Sequence, residues 1–192
     1  YGKGFDSGFV ATAGPSLKDT EFYGINMGVY DTENLRAQLQ YQRGAKIFDA
    51  PSDGSAMTGP VRHNLGDIDW YGLGAMSTLK KTGPGSLNLF ADFAVSDTHP
   101  NDNVSAQAGF QGLLTGGFFD PEAPEDKTGW AVSAGMRYDL PSRTKLGLEF
   151  NHGSKNWITF APAADDMWTS KVGTRGNVYE AYVIQELELK PV

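Results

Sequence analysis

Residues 33–44 read ENLRAQLQYQRG, and their alternation decides the fold. Leu35, Ala37, Leu39 and Tyr41 interleave one for one with Arg36, Gln38, Gln40 and Gln42. An extended chain sends successive side chains to opposite sides, so a strand here has one wholly apolar face and one wholly polar face. A helix of the same sequence would mix them.

The pattern recurs along the chain. In GWAVSAGMRYDL, Trp130, Val132, Ala134, Met136, Tyr138 and Leu140 oppose Ala131, Ser133, Gly135, Arg137 and Asp139. SLNLFADFAVS sets Leu87, Leu89, Ala91, Phe93 and Val95 against Asn88, Phe90, Asp92, Ala94 and Ser96. KLGLEFN sets Leu146, Leu148 and Phe150 against Lys145, Gly147, Glu149 and Asn151. DWYGLGAMSTL is mixed, and NVYEAYVIQELEL alternates less cleanly. With GFVATA and FYGINMGVY there are about eight candidate strands, near residues 4–13, 21–30, 35–43, 67–79, 86–96, 128–139, 145–153 and 176–189.

The connections carry an independent signal. DTEN, KKTGPG and the neighbourhood of DLPSRT are tight turns rich in Asp, Asn, Gly, Pro and Ser. Between them fall three connections that each exceed the ordinary upper loop length of about 12–15 residues. Short and long links alternate, which in a meander places every tight turn at one end and every long loop at the other. A transmembrane β-barrel has this asymmetry, together with lipid-facing residues that alternate with lumen-facing ones. In hydrocarbon every backbone N–H and C=O must be paired, and a closed sheet leaves no edge. Tyr41, Trp130, Tyr138 and Tyr179 fall near strand ends, where interfacial aromatic residues sit. A soluble β-sandwich or lipocalin-like barrel also alternates, with the apolar face turned inward, and periodicity alone does not say which face is inside.

Composition agrees with strands and turns: 192 residues contain 24 glycines, 10 prolines and 12% aromatic residues. The formal charge of −7, with no basic stripe, argues against nucleic-acid binding, whose phosphate term needs clustered Lys and Arg. The lack of cysteine removes disulfides, thiolate metal sites, cysteine nucleophiles and covalent haem attachment. No apolar run approaches the ~18 residues of a spanning helix.

The stretch WITFAPAADDMWTSK at 157–171 and the stretch GTRGNVYEAY at 173–182 resemble an uncharacterised family of bacterial outer-membrane, porin-like β-barrel proteins. That resemblance implies a barrel in the outer membrane of a Gram-negative bacterium, with no enzymatic residues to carry over. Members of the family are longer than this chain, and LELKPV lacks the terminal aromatic residue usual at the end of such barrels. Part of a larger barrel is therefore expected here, with a closed eight-stranded barrel as the alternative.

The sequence offers little catalytic chemistry. FDSGF at 5–9 resembles the Asp-Ser-Gly triplet of serine proteases over three residues only, and Ser7 reads better as a turn or strand residue. His63, His99 and His152 have no metal-ligand spacing. The acidic segments SDTHPNDN and FDPEAPEDK carry Asp97, Asp102, Asp120, Glu122, Glu125 and Asp126 without an EF-hand register, and read as solvated loops. Asp165 and Asp166, beside Met167 and Trp168, would pin a loop through Lys171 or Arg175; a loop folded in to narrow a pore and a merely braced one would use the same residues.

The expectation is an all-β, antiparallel, up-and-down transmembrane barrel of a single domain, about eight strands of which lie in this chain. Leu35, Ala37, Leu39 and Tyr41 face lipid. Arg36, Gln38, Gln40, Gln42, Asp92, Arg137, Lys145 and Glu149 line a water-filled lumen, where charged side chains bias the sign of what passes. The expected function is passive diffusion of ions or small solutes without enzyme chemistry, metal or cofactor. Partners are outer-membrane lipid, the solutes, and a second copy or a partner protein; no nucleic acid is expected. Two alternatives stand beside it: a structural barrel that sheaths or anchors a partner such as a multihaem cytochrome, and a soluble β-barrel or sandwich that binds a ligand.

Overall fold

The computed structural model describes residues 2–3, 20–47, 64–101, 124–159 and 171–187. They form eight strands: β1 (Gly2–Lys3), β2 (Glu21–Asp31), β3 (Leu35–Ala45), β4 (Gly66–Thr82), β5 (Gly85–Pro100), β6 (Lys127–Asp139), β7 (Thr144–Gly153) and β8 (Gly176–Gln185). A 3-10 turn, Lys171–Gly173, precedes β8. The strands lie in one sheet in chain order, β1 to β8, an antiparallel up-and-down meander. Among the described residues no pairing of β8 with β1 closes the sheet. No described helix is long and apolar enough to cross a membrane, which says nothing of a β-barrel.

Seven of the candidate strands are present. The candidate at 4–13 lies outside the described residues, and the last one is shorter than its pattern, because β8 stops at Gln185. Several strands are longer than the alternation indicated, β4 and β5 by the most. β4 runs to Thr82, and β5 runs to Pro100, so the first residues of the acidic stretch SDTHPNDN are strand rather than loop. The reason is local pairing: Thr98 Oγ1 donates to the Lys127 carbonyl at 3.1 Å, and the Lys127 N–H donates back at 3.0 Å. Thr128 Oγ1 donates to Asp97 at 2.9 Å. Partners on β6 thus hold a polar segment extended without any apolar face.

The chain forms two compact units, one of Tyr1–Ile25, Gln40–Tyr71 and Ser96–Thr128, the other of Asn26–Leu39, Gly72–Val95 and Gly129–Val192. The first unit buries Ile47, Leu65 and Ile68. Its backbone is tied by Ile47 N–H to the Gly66 carbonyl and Leu65 N–H to the Ile47 carbonyl, both at 2.8 Å. Gly66 has φ of 123°, and a Cβ there would collide with the His99 carbonyl, so the start of β4 needs glycine.

The second unit holds the tight turns. At β2–β3, Thr32 N–H donates to the Leu35 carbonyl at 2.9 Å and Leu35 N–H to Thr32 Oγ1 at 3.1 Å. At β4–β5, the Tyr138 hydroxyl donates to the Thr82 carbonyl at 2.6 Å and accepts from Gly85 N–H at 3.1 Å, so an aromatic residue of β6 clasps the turn. The register of β6, β7 and β8 fixes which side chains share a face. Met136 pairs with Leu148 and Leu148 with Ala181; Ala134 pairs with Phe150 and Phe150 with Tyr179. Arg137, Gly147 and Tyr182 form one row of the opposite face, and Gly135, Glu149 and Glu180 the next.

The side chains of the apolar face are largely exposed. Met136 is 44% accessible, Leu148 51%, Tyr179 76% and Val183 68%. Leu35 and Leu39 of β3, Ile25 and Met27 of β2, and Leu73 of β4 are exposed in the same way. A sandwich would press such side chains into a core, yet here they stand free of protein cover at a hydrophobic cost of about 25 cal/mol per Å2 in water.

Candidate functional site

The polar face of β6–β8 carries paired charges. Arg137 Nε donates to Asp139 Oδ1 at 2.7 Å and its Nη2 to Oδ2 at 3.0 Å. Asn88 Nδ2 reaches the same carboxylate at 3.1 Å. Lys145 pairs with Glu186, just beyond the end of β8, and this bond holds the Glu186 carboxyl below its usual range. Two aromatic rings lie on this face over glycines. A Cβ on Gly147 would overlap the Tyr182 ring, and one on Gly135 would strike Phe90.

Lys171 arrives on the same face from the connection before β8. Its Nζ donates to Glu149 Oε2 at 2.5 Å and to Glu180 Oε2 at 2.8 Å, linking β7 and β8 through one ammonium. Burial pulls that ammonium down, but the two carboxylates more than offset it, and it is pushed up to about 12. The base of the connection is braced independently. Buried Trp157 donates Nε1–H to the Val172 carbonyl at 2.8 Å, and Arg175 Nε donates to the Trp157 carbonyl at 2.9 Å. Ser154 completes the brace, its Oγ accepting from Trp130 N–H at 2.9 Å while its N–H donates to the Trp130 carbonyl at 2.8 Å.

Arg36, Gln38 and Asp92, read from the sequence as one polar wall, do come together. They line a concavity of about 520 Å3 with Tyr30, Met76 and Phe90. Arg36 Nε donates to Asp31 at 3.0 Å, an exposed pair. Gly74 brings β4 close to β5, since a Cβ there would lie 2.5 Å from Asp92 Oδ1. Gln42 belongs to the first unit, where β2 packs close to it: a Cβ on Gly24 would lie 2.9 Å from its Cα. Gln40 falls in that unit too.

The first unit contains a network that sequence reading missed. Arg43 donates from Nη1 to Asp69 at 2.8 Å and from Nη2 to Asp67 at 2.5 Å. Asp69, only 4% exposed, also accepts the Tyr41 hydroxyl at 2.8 Å, and His99 Nε2 lies 3.2 Å away. Lys46 N–H donates to Asp67 at 2.9 Å and its Nζ to Glu21 at 3.1 Å. Tyr41 therefore shares its strand parity with Leu39 but directs its hydroxyl to a carboxylate; it marks where the apolar stripe of β3 gives way to charge. The available signal was parity: Tyr41 and Arg43 on β3 match Asp67, Asp69 and Tyr71 on β4. No group of three or more His, Cys, Asp or Glu among the described residues is arranged to hold a metal ion. Asp165 and Asp166 lie outside the described residues.

A family model described as a protein of unknown function, DUF3373, matches residues 1–192. The chain belongs to the DUF3373 family. No curated protein and no solved structure matches it. In this DUF3373 chain the described contacts of Trp157, Lys171, Arg175 and Glu180 fall within the matched residues, at the two ends of the connection between β7 and β8 and on β8 itself.

Proposed function

We propose that this chain forms the wall of a bacterial outer-membrane β-barrel that passes ions or small solutes by passive diffusion. The observation that carries the reading is the contrast between the two faces of β6–β8. Met136, Leu148, Tyr179 and Val183 are exposed on one side, while Arg137, Lys145, Glu149, Lys171 and Glu180 form ion pairs on the other. Lipid would cover the first face without protein contacts, and water would solvate the second. Passage through such a lumen needs no covalent step; paired charges of both signs on the wall replace part of the hydration of a passing ion.

The test is single-channel recording of the reconstituted protein in a planar bilayer across a salt gradient. Reproducible current steps, with an ion selectivity that shifts in Arg137→Glu, are the expected result. A folded, inserted protein that never conducts would overturn the reading and favour a barrel that sheaths or anchors a partner.

A further inference from the structure

The concavity lined by Tyr30, Met76, Phe90 and Asp92 holds a charge that its neighbours leave uncompensated. Arg36 is engaged by Asp31 at 3.0 Å, so those two charges cancel locally. Asp92 has no hydrogen-bond or ion-pair partner among the described residues. Gly74 leaves room for its carboxylate, because any side chain there would meet Oδ1. Gly28 keeps another part of the lining open, since a Cβ there would find no atom within 4 Å. At about 520 Å3 the space lies within the range of about 300–1,000 Å3 typical of small-molecule sites.

The lining chemistry selects among ligands. Tyr30 and Phe90 offer aromatic rings whose faces are electron-rich, and Met76 offers a polarisable thioether. One free carboxylate beside aromatic side chains repels anions. It also falls short of the six to eight oxygen ligands that calcium takes. An organic cation satisfies both halves at once, with its charge against Asp92 and its carbon substituents against the rings.

We propose that this concavity is a binding site for an organic ammonium ion. The inference rests on the polar face being a lumen wall only for where the ligand is met; the binding chemistry stands on the lining itself. The probe is benzyltrimethylammonium, titrated by saturation-transfer NMR into the folded protein in detergent micelles. Benzyl alcohol and benzenesulfonate serve as neutral and anionic counterparts with the same ring. Saturable binding of the cation, about tenfold tighter than the alcohol, is expected, with a loss of about tenfold in Asp92→Asn and a smaller loss in Phe90→Leu. Binding that is unchanged in a folded Asp92→Asn variant, or equal for the alcohol or the sulfonate, would overturn the site. Channel recordings with the same probe separate the two readings: Asp92-dependent binding without any conductance would sink the pore and keep the site, whereas conductance without Asp92-dependent binding would do the reverse.

Discussion

The ammonium of Lys171 lies 2.5 Å from Oε2 of Glu149, which fastens the connection before β8 to the polar face of the strand that precedes it. Glu180 of β8 takes a second bond at 2.8 Å, so one cation bridges neighbouring strands. The bond closes a loop whose base is already held by Trp157 and Arg175.

The Lys171 bridge has a pH signature. Its folded-state value is raised from 10.5 to about 12, so the protonated form is favoured by folding. Its stabilising contribution is therefore fully present below pH 10.5 and is lost as pH rises through about 12. In detergent, the melting temperature of the wild type should fall across that window by more than that of Lys171→Met. Parallel curves for the two proteins would show that the bridge contributes nothing to folding.

Gly147 and Tyr182 make a second test. The ring of Tyr182 occupies the place where a side chain on Gly147 would stand. Gly147→Val should force the ring off the wall and destabilise the protein by about 1–3 kcal/mol, measured by urea unfolding in micelles. The double variant Gly147→Val, Tyr182→Ala should recover part of that loss, because the clash is removed. No recovery would place the cost in the strand backbone rather than in the ring.

The two faces of β6 predict opposite tolerance to charge. Met136 is exposed on the apolar face, while Ser133 has the opposite parity and shares a side with Arg137. Met136→Arg should cost about 2–4 kcal/mol of stability in a bilayer if that site lies near the midplane, and Ser133→Arg far less. Equal costs, read from reversible unfolding in lipid vesicles, would contradict a lipid-facing surface.

Much of the architecture was legible because strand periodicity is a local property. Leu35, Ala37 and Leu39 share a side of β3, as do Met136 and Tyr138 on β6, simply because alternate residues of an extended chain point the same way. The short turns were legible too, from Asp, Gly, Pro and Ser whose backbone preferences act over a few residues. The length of β5 was not, because Ser96–Pro100 has no apolar alternation and is held extended by Lys127 and Thr128 of another strand.

The amino-acid sequence by itself determined that this is an alternating strand protein and which residues belong to one face or the other, since that depends only on parity along each strand. Tertiary structure alone decided the partners: Lys171 with Glu149 and Glu180, Tyr41 and Arg43 with Asp69, Tyr182 over Gly147, and Asp92 left unpaired among the described residues beside Phe90. The physical reason is register. Neighbours on one strand are set by covalent geometry, but neighbours across strands depend on how far one strand is displaced along the next, and a cation finds its carboxylates only after that displacement is settled.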